Sequence, residues 1–298
     1  MEVTPPAGAL NEYGRLTRVA VKHARDAFVS AATLAAQWQS HGFTAVPDFE
    51  RACRQSDAFV AILESSGAAV MRLPADAVTT IDSIYTRDAS IVTPRGVALG
   101  AMGKPARAGE PGAQGRAFAA AGHPWTEVAG RIEPPGRVEG GDVVWLDDRT
   151  MAVGRGYRTN AAGIAQLRAL LGPSIEVIEV PLPHWRGPGD VMHLMSLISP
   201  VDRDLAVAYS PLLPVPFRER LLDRGMALVE TPDEEFETMA TNVLAIAPRH
   251  CLMLSGNPHT RAGLERAGAT VVDYEGSEIS VKGAGGPTCL TRPLVRAG

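Results

Sequence analysis

The chain has 298 residues, 45% hydrophobic and 21% charged, with a net charge of −4 and an isoelectric point near 6.0. That balance argues against a nucleic-acid surface, which needs a basic face, and no apolar run approaches the roughly 20 residues that span a bilayer. The three cysteines, Cys53, Cys251 and Cys289, are too few for a disulfide framework. The start, M-E-V-T-P-P-A-G, has neither the basic nor the apolar region of a secretory signal. The expected setting is therefore the cytoplasm, with no nucleic-acid or membrane partner.

Helix-like segments closed by glycine recur along the chain, each followed by a short β-rich run. In order they are Phe28–Ser40 before Gly42 and F-T-A-V, and Phe59–Ser66 before Gly67 and A-A-V-M-R-L. Next come Ala161–Leu171 before Gly172, Phe217–Asp223 before Gly225, and Ala262–Ala267 before Gly268. Glycine suits the left-handed position that ends a helix, and Asn160 is placed to cap the helix at Ala161.

Between these lie four segments with hairpin character: Tyr85–Leu99 around T-P-R-G, Val138–Val153 around D-D-R-T, His193–Tyr209 around P-V-D-R-D, and Asn242–Leu254 around A-P-R-H. A fifth strand starts near Cys289. The unit is thus hairpin, helix, strand, repeated about five times, which predicts an α/β architecture. The first copy, Leu16–Leu73, is expanded and the least regular. The Gly/Pro-rich stretch Gly103–Arg116 interrupts one repeat and reads as a long loop, either a functional lid or flexible surface.

At or near the start of the repeated strands stand Asp88, Glu139, His193, Asn242 and Cys289. Their separations are 139 − 88 = 51, 193 − 139 = 54, 242 − 193 = 49 and 289 − 242 = 47. A near-constant period of this size marks a propeller-like or solenoid array. In a closed ring, equivalent positions meet on the axis. Two carboxylates, an imidazole, an amide and a thiol would converge there.

A free cysteine is most often a small buried hydrophobe, and Cys251, within H-C-L-M-L, and Cys53 fit that description. Cys289 differs because G-A-G-G precedes it, and glycines let backbone amides approach a ligand. Those glycines do not make a phosphate loop, since no helix follows them to meet the phosphate. His193 differs from the other six histidines by its repeat position, and a cysteine with a distant histidine is a known nucleophile–base pairing. Metal-ligand spacings such as C-x-x-C or H-E-x-x-H are missing from the sequence, so no metal is expected. Glu139 and Asp88 would be costly to bury unpaired, which calls for a cationic partner. Asp142 reads as a structural tie for the hairpin backbone, and Asn242 as a residue that satisfies backbone groups. Two anions beside a Cys/His pair suit a flat delocalised cation such as a guanidinium, whose N–H forks match carboxylates.

With these motifs in order, the sequence resembles the guanidino-modifying superfamily with the five-bladed α/β-propeller (pentein) fold. The matching segments are Y-T-R-D at 85–88, G-K-P-A-R at 103–107, E-G-G-D-V at 139–143, R-T-N at 158–160, M-H-L at 192–194 and G-G-P-T-C-L-T-R-P-L at 285–294. The likeness runs from Leu16 to Arg296 and implies one catalytic domain over 1–298, a pseudo-symmetric ring of ββαβ repeats. It implies Cys289 as nucleophile, His193 as acid and then base, and Glu139 and Asp88 as grips on the guanidine. It also implies Arg158 and Arg107 as binders of the substrate α-carboxylate, Arg107 from a mobile loop. The partner implied is a small guanidino or ureido amino acid, with no metal or organic cofactor, and a homodimer is one assembly left open.

Within that superfamily, deiminases and amidinotransferases carry H-x-D at the catalytic histidine, whereas His193 is followed by Leu194 and Met195. That departure favours an N-alkylated guanidine, as in dimethylarginine dimethylaminohydrolases, although Y-T-R-D is worded like the deiminases. The leading expectation is a cysteine-dependent hydrolase of a substituted arginine. The alternatives are an arginine deiminase or citrulline hydrolase, an amidinotransferase, or a non-catalytic binding member of the fold.

Overall fold

A computed structural model of the chain describes residues 10–189 and 192–297. The opening M-E-V-T-P-P-A-G lies outside the described residues. Five three-stranded sheets make up the fold. Four follow in chain order: β3 (Ser90–Thr93), β4 (Gly96–Leu99) and β5 (Val128–Arg131); β6 (Val143–Asp147), β7 (Thr150–Arg155) and β8 (Glu176–Pro181); β9 (Ile198–Asp202), β10 (Leu205–Ala208) and β11 (Ala227–Glu230); β12 (Leu244–Ala247), β13 (His250–Leu254) and β14 (Thr270–Tyr274). The remaining sheet joins the two ends of the chain: β1 (Arg15–Val21) and β2 (Ala69–Arg72) pair with the last strand, β15 (Thr291–Ala297).

Each sheet repeats one pattern. Its first two strands are antiparallel, and the third returns parallel to the middle one. A parallel return needs a crossover, usually a helix, and α4 (Glu110–Ala121), α5 (Ala161–Leu171), α6 (Val215–Asp223) and α8 (Pro258–Arg266) supply it. In the expanded first copy the crossover is α1 (Ala24–Phe28), α2 (Ala31–Gln37) and α3 (Phe49–Ser65). A short α7 (Asp233–Phe236) precedes β12. The middle strand β10 is apolar without alternation, its L-A-V-A wholly buried, because both of its faces are covered. This is the predicted α/β array of five ββαβ repeats, its first and last strands closing one sheet.

Several local expectations are corrected. Phe28–Ser40 is not one helix: Val29, at φ 63°, separates α1 from α2, and Ser30 caps the second by accepting from the Thr33 amide at 3.1 Å. F-T-A-V forms no strand; α3 follows directly, its start capped by Asp48. Asn160 does cap α5, accepting from the Gly163 amide at 2.8 Å. The stretch Gly103–Arg116 is no long loop, because most of its second half is the first part of α4. Glycine there serves packing: a Cβ at Gly115 would lie 2.9 Å from Leu99 Cδ1.

Candidate active site

The repeat-equivalent residues lie just before their strands, not in them. Asp88 precedes β3 by two residues, Asn242 precedes β12 by two and Cys289 precedes β15 by two, while Glu139 and His193 each lead into a single 3-10 turn, Gly140–Asp142 and Leu194–Ser196. Strand starts at one end of five sheets thereby deliver side chains to a shared space. Asp88, His193, Asn242 and Cys289, with Arg107 and Arg158, line one cavity of about 380 Å³. Glu139 sits behind that lining, fully buried, and reaches it through its partners.

Glu139 is the hub. Its Oε2 accepts from His193 Nε2 at 2.8 Å, and its Oε1 accepts from Arg158 Nε at 3.0 Å and from the Gly103 amide at 2.7 Å. Arg158 Nη2 lies 2.9 Å from Oε2. Burial would raise the Glu139 carboxyl, but the His193 hydrogen bond and the Arg158 charge outweigh it and hold Glu139 well below the usual carboxylate range. Asp88 approaches the same imidazole from the other side, its Oδ1 3.8 Å from His193 Nδ1. The Gly141 amide donates to that oxygen at 3.1 Å. A Cβ on Gly141 would fall 2.5 Å from His193 Nδ1 and 2.7 Å from Asp88 Oδ1, so glycine is what admits both. Asp88 is likewise held low: burial works against its charge, and His193 and Arg107 outweigh it.

His193 answers these carboxylates. Burial alone would push the imidazole down, yet Asp88, Asp142 and Glu139 raise it above its ordinary value of 6.5. Asp142 ties not its own hairpin, as expected, but the next repeat: Oδ1 accepts from the Leu194 amide at 3.1 Å, in the turn beside His193. Burial pushes its own carboxyl up to about 6.

Cys289 is partly exposed, unlike the buried Cys53 and Cys251. Burial of the sulfur and then the Asp88 charge push its thiol up to about 11, and hydrogen bonds from Gly286, Thr288 and Asn242 pull the other way. Asn242 does more than tie backbone. Its Oδ1 accepts from the Thr288 amide at 3.0 Å and from the Thr288 hydroxyl at 2.8 Å, and its Nδ2 points at Cys289 Sγ, 3.5 Å away.

The two arginines are not free. Arg107 is buried at 3% exposure, with Nε and Nη2 each donating to Glu110 at 2.8 Å, Nη1 donating to Asp88 Oδ2 at 2.5 Å and Nη2 also reaching the Tyr85 carbonyl at 3.1 Å. Its segment, Pro105–Arg107, is an ordered 3-10 turn leading into α4. Glu110 was not foreseen, because it lies in the stretch that reads as loop. Asp82, also unforeseen, lines the cavity and accepts from Lys104 Nζ at 3.2 Å. One ligand atom from each of Asp88, Glu139 and His193 falls within 4.8 Å of the others, a spacing that could hold a metal ion. Arg107 and Arg158 already bring two positive charges to those carboxylates.

The comparisons decide the family. The arginine deiminase family model matches residues 82–216 and 213–296. The chain belongs to the arginine deiminase family. The arginine deiminase of Mycobacterium tuberculosis is 31% identical over 249 residues, covering 72% of this chain and 60% of that enzyme. The chain thus spans less than two thirds of the length of the curated deiminases it matches. An uncharacterized protein of Bacillus subtilis, YkgA, is 30% identical over 215 residues, 72% of this chain and 70% of that one. Among solved structures, the dimethylarginine dimethylaminohydrolase of Pseudomonas aeruginosa, a cysteine-to-serine mutant complexed with citrulline, aligns with a TM-score of 0.75 at 24% identity, over 95% of this chain and all of that one. SxtG, an amidinotransferase from Microseira wollei, aligns at 0.77 with 15% identity over 98% of each chain. These structural likenesses show the pentein fold. No helix among the described residues is long and apolar enough to cross a membrane.

Proposed function

We propose that the protein is a cysteine-dependent hydrolase of a substituted arginine, or a related guanidino or ureido amino acid, working through a covalent thiouronium intermediate. The observation that carries this reading is one cavity lined by both Cys289 and His193, with Asp88 in the same lining and Glu139 bound to His193 behind it, both carboxylates kept ionised. A substrate guanidinium entering there meets Asp88, whose carboxylate suits its planar N–H forks, and reaches Glu139 only by displacing one of the partners that cover it. Its positive charge beside the sulfur favours loss of the thiol proton, offsetting the effect of Asp88.

The thiolate attacks the central guanidine carbon, forming an S–C bond. His193, kept protonated by its carboxylates, gives its proton to the leaving nitrogen as the C–N bond breaks and the amine departs. The neutral imidazole then takes a proton from water as that water attacks the thiouronium carbon, and the S–C bond breaks to give a ureido product and the free thiol. Acid–base assistance of this kind is worth roughly 10²–10⁴-fold. Glu139 holds His193 in place through Nε2, and Asn242 aims the sulfur.

Arg158 is proposed as the main clamp on the substrate α-carboxylate, with one edge held by Glu139. Arg107 serves as the second clamp only by exchange. Both of its edges are engaged by Glu110 and Asp88, so the arriving guanidinium must replace it at Asp88 before it can turn to a carboxylate. The leaving-group side lacks a further acid, because Met195 occupies the place of the aspartate in H-x-D, which favours an alkylated nitrogen. Membership of the arginine deiminase family supports the second reading, hydrolysis of unsubstituted arginine.

Product analysis separates the two. Asymmetric dimethylarginine, monomethylarginine, arginine and citrulline are supplied separately and the products identified by mass spectrometry. Citrulline with a methylated amine from the first two, and little from arginine, is the expected result. Efficient turnover of arginine with none of the methylated forms would make it a deiminase.

A further inference from the structure

The cavity has two kinds of wall. Asp82, Lys104, Arg107 and Arg158 make one part polar, suited to an amino-acid head. A second part is mainly apolar, made by Trp185, Met192, Met195, Phe236 and Met239, with Ser196 and Glu237 also in the lining. Met192 and Met195 flank the histidine in sequence and line the cavity; with Phe236 they belong to a single apolar cluster. Phe236 stacks on Tyr209 with ring centroids 3.9 Å apart, and Trp185 meets Phe236 edge-on at 6.2 Å. Next to that aromatic pair, Arg186 donates to Glu237 at 2.6 and 3.2 Å, tying the same two segments together.

Two observations say that this face is built to be used. Trp185 lines the cavity yet is 37% exposed, so the apolar surface runs from beside His193 out to solvent. Trp185 at φ 47° and Met239 at φ 63° both take the left-handed conformation that side chains other than glycine avoid, and both line the cavity. Such backbone costs on the order of 1–3 kcal/mol each and concentrates at ligand sites. Methionines add a wall that adapts to differently shaped apolar groups.

We propose that this face is a leaving-group channel, so that the natural substrate is an Nω-substituted arginine whose substituent is an alkyl or arylalkyl chain larger than methyl. The inference rests on the hydrolase reading above and deepens it. His193 protonates the nitrogen that leaves, so the groups beside His193 are those the leaving amine passes. The bond broken joins the guanidine carbon to the substituted nitrogen. The S–C bond to Cys289 replaces it, the His193 proton completes the amine R–NH₂, and water later restores the thiol.

The test is a homologous series of Nω-methyl, ethyl, propyl, butyl and benzyl arginine, with arginine itself as reference, assayed for kcat/KM on the wild type, Trp185→Ala and Phe236→Leu. The wild type is expected to gain roughly fourfold per added methylene, the scale set by burying a CH₂, and both variants to flatten that slope. Circular dichroism checks that the variants are folded. A wild-type series that is flat or falls beyond methyl overturns the channel while leaving the cysteine chemistry standing. An unchanged slope in both folded variants overturns it as well. No ureido product from any member, arginine included, would instead overturn the hydrolase reading on which it rests.

Discussion

Two charged clusters lie back to back around the peptide that joins Arg87 to Asp88, and they are built on opposite principles. On the cavity side, Asp88, Glu139 and Glu110 face Arg107, Arg158 and His193. Every carboxylate there has a cation at 2.5–2.9 Å, and the cluster opens on a cavity. On the other side, Arg87, Arg292 and Arg296, all at 5% exposure or less, share one carboxylate, that of Glu12. Glu12 Oε1 accepts from Arg87 Nη2 at 2.7 Å, Arg292 donates to the Arg87 carbonyl at 2.5 Å, and Arg296 donates to the Gly14 carbonyl at 2.6 Å. Several of their nitrogens, Arg87 Nε and Nη1 among them, have no hydrogen-bond partner among the described residues. Burial and the neighbouring Arg87 push Arg292 well below its ordinary value, and burial pushes Arg296 down to about 10.

The contrast separates charge that works from charge that holds. Ion pairs facing a cavity can trade one guanidinium for another at little net cost, since the substrate replaces what it displaces. The hidden cluster has nothing to trade and only one anion to lose. Substitutions on the two sides should therefore fail in different ways, one in chemistry and the other in folding.

The largest effect is expected at Cys289. Cys289→Ser should lower kcat by roughly 10⁶-fold, the scale for loss of a covalent nucleophile, while chemical denaturation shows stability little changed. Retained turnover would end the mechanism. Next, His193→Gln should cost roughly 10²–10⁴-fold in kcat, again with the fold intact by circular dichroism. On the hidden side, Glu12→Gln removes the lone anion from three buried guanidiniums. Breaking a buried charge pair in this way costs roughly 3–5 kcal/mol, read as a drop in denaturation midpoint. Activity per folded molecule should hold, and a loss of activity without a loss of stability would erase the contrast.

Smaller is the effect of Arg158→Ala, which removes a charged hydrogen bond worth roughly 1.5–3 kcal/mol. It should raise KM about 10- to 100-fold, and an unchanged KM would remove Arg158 from the carboxylate clamp. The subtlest signature is in pH. The carboxylates hold the His193 imidazole above 6.5, and burial holds the Cys289 thiol near 11. The productive imidazolium–thiolate pair gains population through the lower of these two titrations and loses it through the higher. The acid limb of kcat/KM should therefore lie above pH 6.5; an acid limb below 6.5 would mean that the carboxylates do not raise the imidazole.

What could be read from the sequence follows from what repeats. The hairpins recur at a regular spacing, and that alone aligns Asp88, Glu139, His193, Asn242 and Cys289. The partners of those residues do not repeat. Glu110 sits in a Gly/Pro-rich stretch whose composition reads as loop, but Pro111 falls in the first turn of α4, where proline is tolerated, and Gln114 and Phe118 bury one face of the helix. That Arg107 is bound to Glu110 and Asp88 depends on the helix, so it was equally hidden. Trp185 and Phe236 meet across 51 residues from segments of different sheets, and Glu12 reaches Arg87 across 75. No local pattern carries such contacts. The dual duty of Asn242 lay within reach, since its repeat position already set it beside Cys289.

The measurement that tests the central claim most directly is rapid acid quench of the enzyme during turnover, followed by intact-mass and peptide analysis. Monomethylarginine and arginine would be compared as substrates. A transient, substrate-dependent mass gain that maps to the Cys289 peptide, and not to the buried Cys53 or Cys251, is the predicted result. Steady turnover with no adduct at any quench time, or an adduct on another cysteine, would contradict it.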